Sequence, residues 1–422
     1  MYNYFTLDSF DFKNKIVAVR VDINSPLKDG KIILNERITQ ACETISELVG
    51  LGAKVLILGH QGRRGKKDFL SLKNHKKFLE NELGFSIEFS SEVFSDKVIS
   101  KIDLLNFGKV LLLENVRFFE GENGFENIFS DLGGVIDYFV NDAFSVSHRS
   151  QASVVGVNNL NLDLGVPCVA GRLLEKELKN LNLIGETRSP HSYVIGGAKP
   201  DDLIDLIEIG FKNNLVDNIF LTGIIGEVAL KCLGYDLGCK VKFLEEHGFL
   251  SVEKKLGTLL KKYKSKLFVP KDLALIVNGK RLEINVSNLS FPKYKKLISK
   301  NMFCDIGSET VKYYSMILSH SESIYLKGPA GNFEEKYCDV GTKNLFKAIT
   351  DLDAFSFMGG GHSVTAASNL GFFEKFDYVS LAGGALVNFI CSKPLPGISI
   401  LEESYTRYNG NCDYFVMGSN VI

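Results

Sequence analysis

Short runs of β-branched and aliphatic residues alternate along this chain with longer segments whose apolar positions recur every three or four residues. That alternation restricts the fold to sheets of parallel strands covered by helices. The first instance is Ile16 to Ile23, Glu36 to Leu51 and Lys54 to Leu58, which reads as strand, helix, strand. In its middle segment Ile38, Ala41, Ile45, Leu48 and Val49 share one face, and Gly50 and Gly52 end it. Further strands are expected at Val110 to Leu113 and Tyr138 to Val140, short and apolar as buried parallel strands are. A charged amphipathic segment, Leu173 to Leu183, and a polar stretch, Gly185 to His191, then interrupt the pattern. It restarts with strands expected at Tyr193 to Ile195, Asn218 to Leu221, Ser323 to Leu326, Phe355 to Met358 and Tyr378 to Leu381.

With 422 residues, 45% of them apolar, the chain is too long for one ordinary core and rich enough for two. The expected class is α/β: two Rossmann-like lobes with parallel β-sheets flanked by helices. Between strands of the second lobe, Lys240 to Lys300 is lysine-rich and irregular, read as a helix and a small β excursion with its lysines on a solvated face. A formal charge of −1 gives no global field for nucleic acid or an anionic membrane, so any anion site must be a local cluster. The start, Met1 to Phe10, has no charged leader with an apolar stretch, and the longest apolar run, Tyr378 to Cys391, is short and broken by Gly383 and Gly384. A cytoplasmic protein without membrane segments is expected. Eight cysteines without a Cys-x-x-Cys pair are read as reduced, mostly buried thiols, and no metal site is expected from side chains alone.

In open parallel sheets, ligands bind beyond the carboxyl ends of the strands. There the two halves differ. The first half supplies Asp22 and Asn24, His60 and Arg63, Arg117, then Asn141, Asp142, His148 and Arg149, with Arg37 opening the first helix. Arginines from several strand ends suit a small, multiply charged anion, because each guanidinium grips an oxygen pair in fixed geometry. The second half supplies glycines: Gly196-Gly197-Ala198-Lys199, Gly223 with Gly226, Gly328-Pro329-Ala330-Gly331, Gly359-Gly360-Gly361-His362-Ser363 and Gly383-Gly384. Such loops let backbone amides approach phosphates and place helix starts beside them, a nucleotide cradle of neither the Walker A nor the dinucleotide spacing. An anion grip in one lobe and a nucleotide grip in the other imply phosphoryl transfer after the lobes close, driven by positioning and charge neutralisation.

Over essentially its whole length the chain resembles the phosphoglycerate kinase family. The matching stretches are Arg20-Val21-Asp22-Ile23-Asn24-Ser25-Pro26, Gly59-His60-Gln61-Gly62-Arg63, Glu114-Asn115-Val116-Arg117-Phe118, Asn141-Asp142-Ala143-Phe144 with Ser147-His148-Arg149, Gly196-Gly197-Ala198-Lys199, Asp305-Ile306-Gly307, Gly328 to Glu334 and Gly359-Gly360-Gly361, in the family's order. The His-Gln-Gly-Arg and Gly-Gly-Gly-His-Ser versions resemble the archaeal branch. The resemblance implies reversible phosphoryl transfer between 1,3-bisphosphoglycerate with ADP and 3-phosphoglycerate with ATP, in glycolysis or gluconeogenesis, with magnesium. It implies a phosphoglycerate site of Asp22, Asn24, Arg37, His60, Arg63, Arg117 and Arg149. It implies a nucleotide site of Gly197, Lys199, Gly223, Lys327, Gly328, Glu334, Gly360, Gly361, His362 and Ser363, and a transfer centre of Arg37, Lys199, Gly361 and Gly384. His60 reads as a substrate ligand or as a buried structural histidine. The implied domains are 1–172 with segment 396–422 packing back, a hinge helix at 173–185, and a nucleotide lobe at 186–395.

Departures concentrate on the nucleotide side. Lys327 replaces an Asn, Leu203 a second lysine, Leu381 and Ala382 a Thr-Gly, and Ile224 interrupts a glycine run. His362 stands where many members carry a magnesium-binding Asp, which leaves magnesium held mainly by phosphates. Two rival readings stay open: a paralogue that binds without turnover, and a kinase for another phosphorylated carboxylic acid. Joint retention of Arg37 and Lys199 favours the kinase.

Overall fold

The computed structural model describes residues 3–409 apart from 94, 124–133, 157–165, 187 and 188. Two compact units result: Met1–Asn182 with Lys393–Ile422, and Leu183–Ser392. Parts of the expected linker (Thr187, Arg188) and of the C-terminal segment (410–422) lie outside the described residues, as does Cys412.

The first unit is built on a seven-stranded sheet of β1 (Phe5–Thr6), β2 (Ile16–Val21), β5 (Lys54–Leu58), β6 (Glu88–Phe89), β7 (Val110–Leu112), β8 (Tyr138–Asp142) and β9 (Cys168–Ala170), with β3 (Leu27–Lys28) and β4 (Lys31–Ile32) as a separate hairpin. The sheet order is β1-β9-β8-β2-β5-β7-β6, and every pairing is parallel. The helix Glu36–Gly50 starts where the Asn35 side chain accepts from the backbone N–H groups of Arg37 and Ile38. Its face of Ile38, Ala41, Ile45 and Leu48 is fully buried in one cluster with Val17, Val19, Val55 and Ile57. Each large aliphatic side chain there contributes about 1.5–3 kcal/mol relative to exposure. The helix Pro396–Tyr408 packs on this same unit: Gly397 N–H donates to Ser147 O at 2.9 Å, Asn141 Nδ2 to Gly397 O at 2.9 Å, and Cys168 N–H to Ser404 Oγ at 2.8 Å.

The second unit carries a six-stranded parallel sheet of β10 (His191–Ile195), β11 (Asn218–Leu221), β12 (Leu267–Phe268), β16 (Ser323–Lys327), β17 (Phe355–Gly359) and β18 (Tyr378–Ser380), in the order β12-β11-β10-β16-β17-β18. The segment Lys240 to Lys300 is larger than a small excursion. Helices Cys239–Glu246, Glu253–Lys262 and Pro292–Ile298 accompany β13 (Asp272–Val277) and β14 (Lys280–Asn285), which join β15 (Phe303–Ile306) in an antiparallel sheet ordered β14-β13-β15. Its Leu273, Leu275, Ile284 and Phe303 are continuous with the unit's core.

Two expectations are corrected. Cys304 and Cys338 form a disulfide with Cα atoms 5.6 Å apart, while Cys42, Cys168 and Cys391 are buried thiols outside any disulfide. The pairing joins residues 34 apart in sequence, beyond what local spacing reveals. Lys240 is also not on a solvated face: it is 7% exposed, and its ammonium donates to Phe303 O at 2.9 Å and sits 3.2 Å from Glu227 Oε1. Among the described residues no helix is long and apolar enough to cross a membrane.

Both parallel sheets reverse direction of growth once, between β8 and β2 in the first and between β10 and β16 in the second. These are the points where neighbouring connections leave towards opposite sides and open a crevice at the strand ends.

Candidate active site

At the first reversal point β2 delivers Asp22, which is 4% exposed. Its Oδ2 takes Arg37 Nη1 at 2.7 Å and the Ser145 hydroxyl, and its Oδ1 takes Asn24 N–H at 3.1 Å. Burial alone would raise this carboxyl, but Arg37 and the hydrogen bonds from the Ser145 hydroxyl and Asn24 N–H outweigh it and hold Asp22 well below the usual carboxylate range. A fixed negative charge thus orients Arg37 at the strand ends.

The loop after β5 is set by Gln61, fully buried. Its Oε1 accepts from Ser25 N–H at 2.8 Å and meets His75 Nε2 at 3.1 Å, and its Nε2 donates to Ser25 O at 2.9 Å. Gly62 follows with φ +67°, and a Cβ there would lie 2.1 Å from Asp68 O, so only glycine fits. Gly62 N–H donates to Asn24 Oδ1 at 2.8 Å, which ties the β2 and β5 ends together, and Gly62 O accepts from Arg117 Nη1 at 2.5 Å. Arg117 follows β7, where Asn115 holds the turn by donating to Gln61 O and Leu70 O, each at 2.8 Å. Arg149 follows β8, its Nε donating to His148 Nε2 at 3.2 Å, and Arg63 is exposed at the rim.

The charges are crowded. Burial, then Arg149 and Arg20, bring the Arg117 guanidinium down to about 10, and burial, then Arg63, lower that of Arg149. Such mutual depression of neighbouring cations would be relieved by an anion placed among them. His60, 4% exposed, is kept neutral by burial first and by Arg20, Arg117 and Arg37 against the opposing pull of Asp22. The structure therefore brings Asp22, Asn24, Arg37, His60, Arg117 and Arg149 to the ends of one sheet.

In the second unit the glycine loops first hold one another. Gly196 N–H donates to Lys327 O at 2.7 Å, Gly197 N–H to Pro329 O at 2.9 Å and Gly223 N–H to Ala330 O at 3.0 Å. A Cβ on Gly196 would lie 2.3 Å from Thr222 Oγ1, and one on Gly328 2.3 Å from Gly196 O. Those glycines permit close contact between strand ends, and the amides of Gly196, Gly197 and Gly223 are occupied by carbonyls. Ser363 is likewise committed, accepting from Gly328 N–H at 2.7 Å and donating to Gly359 O at 3.0 Å. The helix ends differ. Gly360 caps the helix Gly361–Leu370 with φ +99°, and the exposed Gly361 and His362 occupy its first positions, where backbone N–H groups lack intrahelical partners. Gly384 opens the short helix Gly384–Ile390. Lys199 caps the helix Pro200–Lys212 and is exposed; Asp201 takes Ser251 Oγ at 3.0 Å instead of pairing with it. Lys327 is half-buried.

A cavity of about 510 Å³ adjoins these loops, lined by Gly197, Gly223, Ile224, Pro329, Phe333, Glu334 and His362. Its floor contains Glu227 and Lys240, a buried pair that sequence patterning missed because Lys240 sits among surface lysines. Arg281 was also missed: it spans Glu283, Asp305, Ile306 O and Tyr337 O, so the Asp305-Ile306-Gly307 motif anchors backbone next to the cavity. Leu203, Leu381 and Ala382 are buried, so those departures fill core. Among the described residues no group of three or more His, Cys, Asp or Glu side chains could hold a metal ion.

A model of the family described as phosphoglycerate kinase matches residues 7–393. The phosphoglycerate kinase of Methanothermus fervidus is 36% identical over 420 residues, spanning 96% of this chain and 99% of the relative. That of Pyrococcus abyssi is 34% identical, spanning 96% and 98%. The crystal structure of phosphoglycerate kinase from Pyrococcus horikoshii aligns with a TM-score of 0.87 at 35% identity, over 96% of this chain and all of that one; the enzyme from Coxiella burnetii aligns with a TM-score of 0.74 at 28% identity, over 95% and 99%.

Proposed function

The chain belongs to the phosphoglycerate kinase family and is a phosphotransferase with a carboxyl group as acceptor, and from that premise we propose how its residues divide the work. The first unit's Asp22, Asn24, Arg37, His60, Arg63, Arg117 and Arg149 take 3-phosphoglycerate or 1,3-bisphosphoglycerate. The second unit's cavity takes ADP or ATP, with Gly197, Gly223 and Glu334 at its wall, Gly328 in the adjoining loop, Lys199 and Lys327 near the phosphates, and the Gly360–Ser363 helix start offering amides. Phosphoryl transfer asks for positioning and charge neutralisation more than for a proton acceptor, since carboxylate and phosphate oxygens are already ionised. Arg37 and Lys199 supply positive charge to the group in transit, and Gly361 and Gly384 give backbone donors.

Magnesium prefers oxygen ligands in octahedral geometry. With His362 in place of a carboxylate and no cluster of acidic side chains among the described residues, a protein-built cage does not fit. The metal is read as arriving on the nucleotide phosphates, and the protein's steps stand without it.

The observation that carries this reading is the crowding of Arg37, Arg117 and Arg149 around a buried, ionised Asp22 at the sheet's reversal point. Purified protein given ATP, magnesium and 3-phosphoglycerate should form an acyl phosphate that hydroxylamine traps. Arg37→Ala should abolish it while ATP binding persists; undiminished formation by the variant would refute the site assignment.

A further inference from the structure

Arg20 is the largest fully buried side chain among the described residues, and in sequence it stands out only as part of a motif. A buried guanidinium is costly unless each donor is used, and here the partners lie in one direction-fixed chain. Glu122, 1% exposed, accepts from Ser153 N–H at 3.0 Å and from Ser153 Oγ at 2.7 Å. With its only hydrogen given to Glu122, the Ser153 hydroxyl receives Arg20 Nε at 2.9 Å. Arg20 Nη1 donates to Val21 O at 2.5 Å, and Nη2 lies 3.2 Å from His60 Nδ1. Arginine has donors and no acceptor, so this last contact requires a lone pair on Nδ1. The ring then carries its hydrogen on Nε2.

We propose that Arg20, held by Glu122 through Ser153, is a positioning residue that fixes His60 as the neutral ring with its hydrogen on Nε2, so that His60 serves phosphoglycerate as a hydrogen-bond donor. The proposal rests on the reading of this pocket as the phosphoglycerate site. The charged groups facing His60 are Arg20, Asp22, Arg117 and Arg37, and burial together with the three cations opposes a charged ring. A second N–H on Nδ1 would also point at the guanidinium. The site thus gains a fixed donor without a further cation.

The test uses the full chain labelled with ¹⁵N-histidine, with His60 assigned by the signal lost in His60→Gln. At neutral pH without ligand, Nδ1 should resonate as an unprotonated ring nitrogen and Nε2 as a protonated one. The reverse tautomer or a doubly protonated ring would overturn the proposal. Arg20→Lys keeps a cation against Glu122 but cannot span the same partners. It should mix the tautomers and raise KM for 3-phosphoglycerate roughly two- to tenfold, the worth of one hydrogen bond, with KM for ATP unchanged. Should that variant fail to fold, Ser153→Ala, which keeps the backbone bond to Glu122, should shift the same signals and the same KM by a smaller factor. An unchanged ring and unchanged KM in the folded variant would contradict the proposal. If His60→Gln itself leaves KM for 3-phosphoglycerate unaltered, the ligand assignment fails, and the tautomer measurement still judges Arg20 separately.

Discussion

In the first unit the strand ends are joined by side chains, and in the second they are pressed together through glycines. Asn24, Gln61 and Asn115 each cross from one strand end to another and leave arginines standing over the gap. In the second unit Gly196, Gly197 and Gly223 make such crossings through backbone amides and carbonyls. The difference follows from the ligands proposed for each. A small anion is gripped by charge and geometry, which only side chains supply. A nucleotide is gripped along its length by a shaped wall, and a wall of backbone keeps its shape because removing side chains lets the loops lock onto one another.

The comparison breaks most visibly at Lys199, an exposed cation on the otherwise side-chain-poor rim. Lys199→Ala should lower kcat by about 10²–10³, the cost of removing one group that stabilises transition-state charge, while ATP affinity changes little. Lys327 is a second cation on that rim, so the double variant should fall further. Turnover within a few-fold of wild type in both would mean that the second unit needs no side chain for transfer.

A second prediction concerns the polar scaffold of the first unit. His75 is fully buried against Gln61, and burial pushes its ring down to about 4. The unfolded chain takes up this proton near pH 6.5 and the folded one only near pH 4, so the stability contribution is whole above about 6.5 and is lost as pH falls between the two. Denaturant unfolding of the wild type should lose up to about 3 kcal/mol more than His75→Gln across that window. Parallel losses would show that burial does not hold the His75 ring neutral.

Most of the larger strands and the site arginines were legible in sequence, for a physical reason. A β-branched run followed by Asp22, His60 or Arg117 shows both the strand and the polar chemistry at its end. What escaped was of two kinds. The strands Phe5–Thr6, Glu88–Phe89 and Leu267–Phe268 are two residues long and show no period. Lys240 with Glu227, Arg281 with Asp305, and Cys304 with Cys338 are partnerships between separate segments, where neither member alone announces the other. The glycine clusters were correctly marked as strand ends, but sequence does not say whether an amide faces a ligand or a neighbouring carbonyl, and several face carbonyls.

The smallest expected change is also the cleanest, because Arg63 is exposed and its removal disturbs no buried network. Calorimetric titration of Arg63→Ala with 3-phosphoglycerate and, separately, with ATP tests directly whether the first unit binds by side-chain charge and the second by its backbone wall. Affinity for 3-phosphoglycerate should fall roughly tenfold to a hundredfold, as for the loss of a charge-assisted pair, with ATP affinity unchanged. Equal losses for the two ligands, or none for 3-phosphoglycerate, would contradict that division.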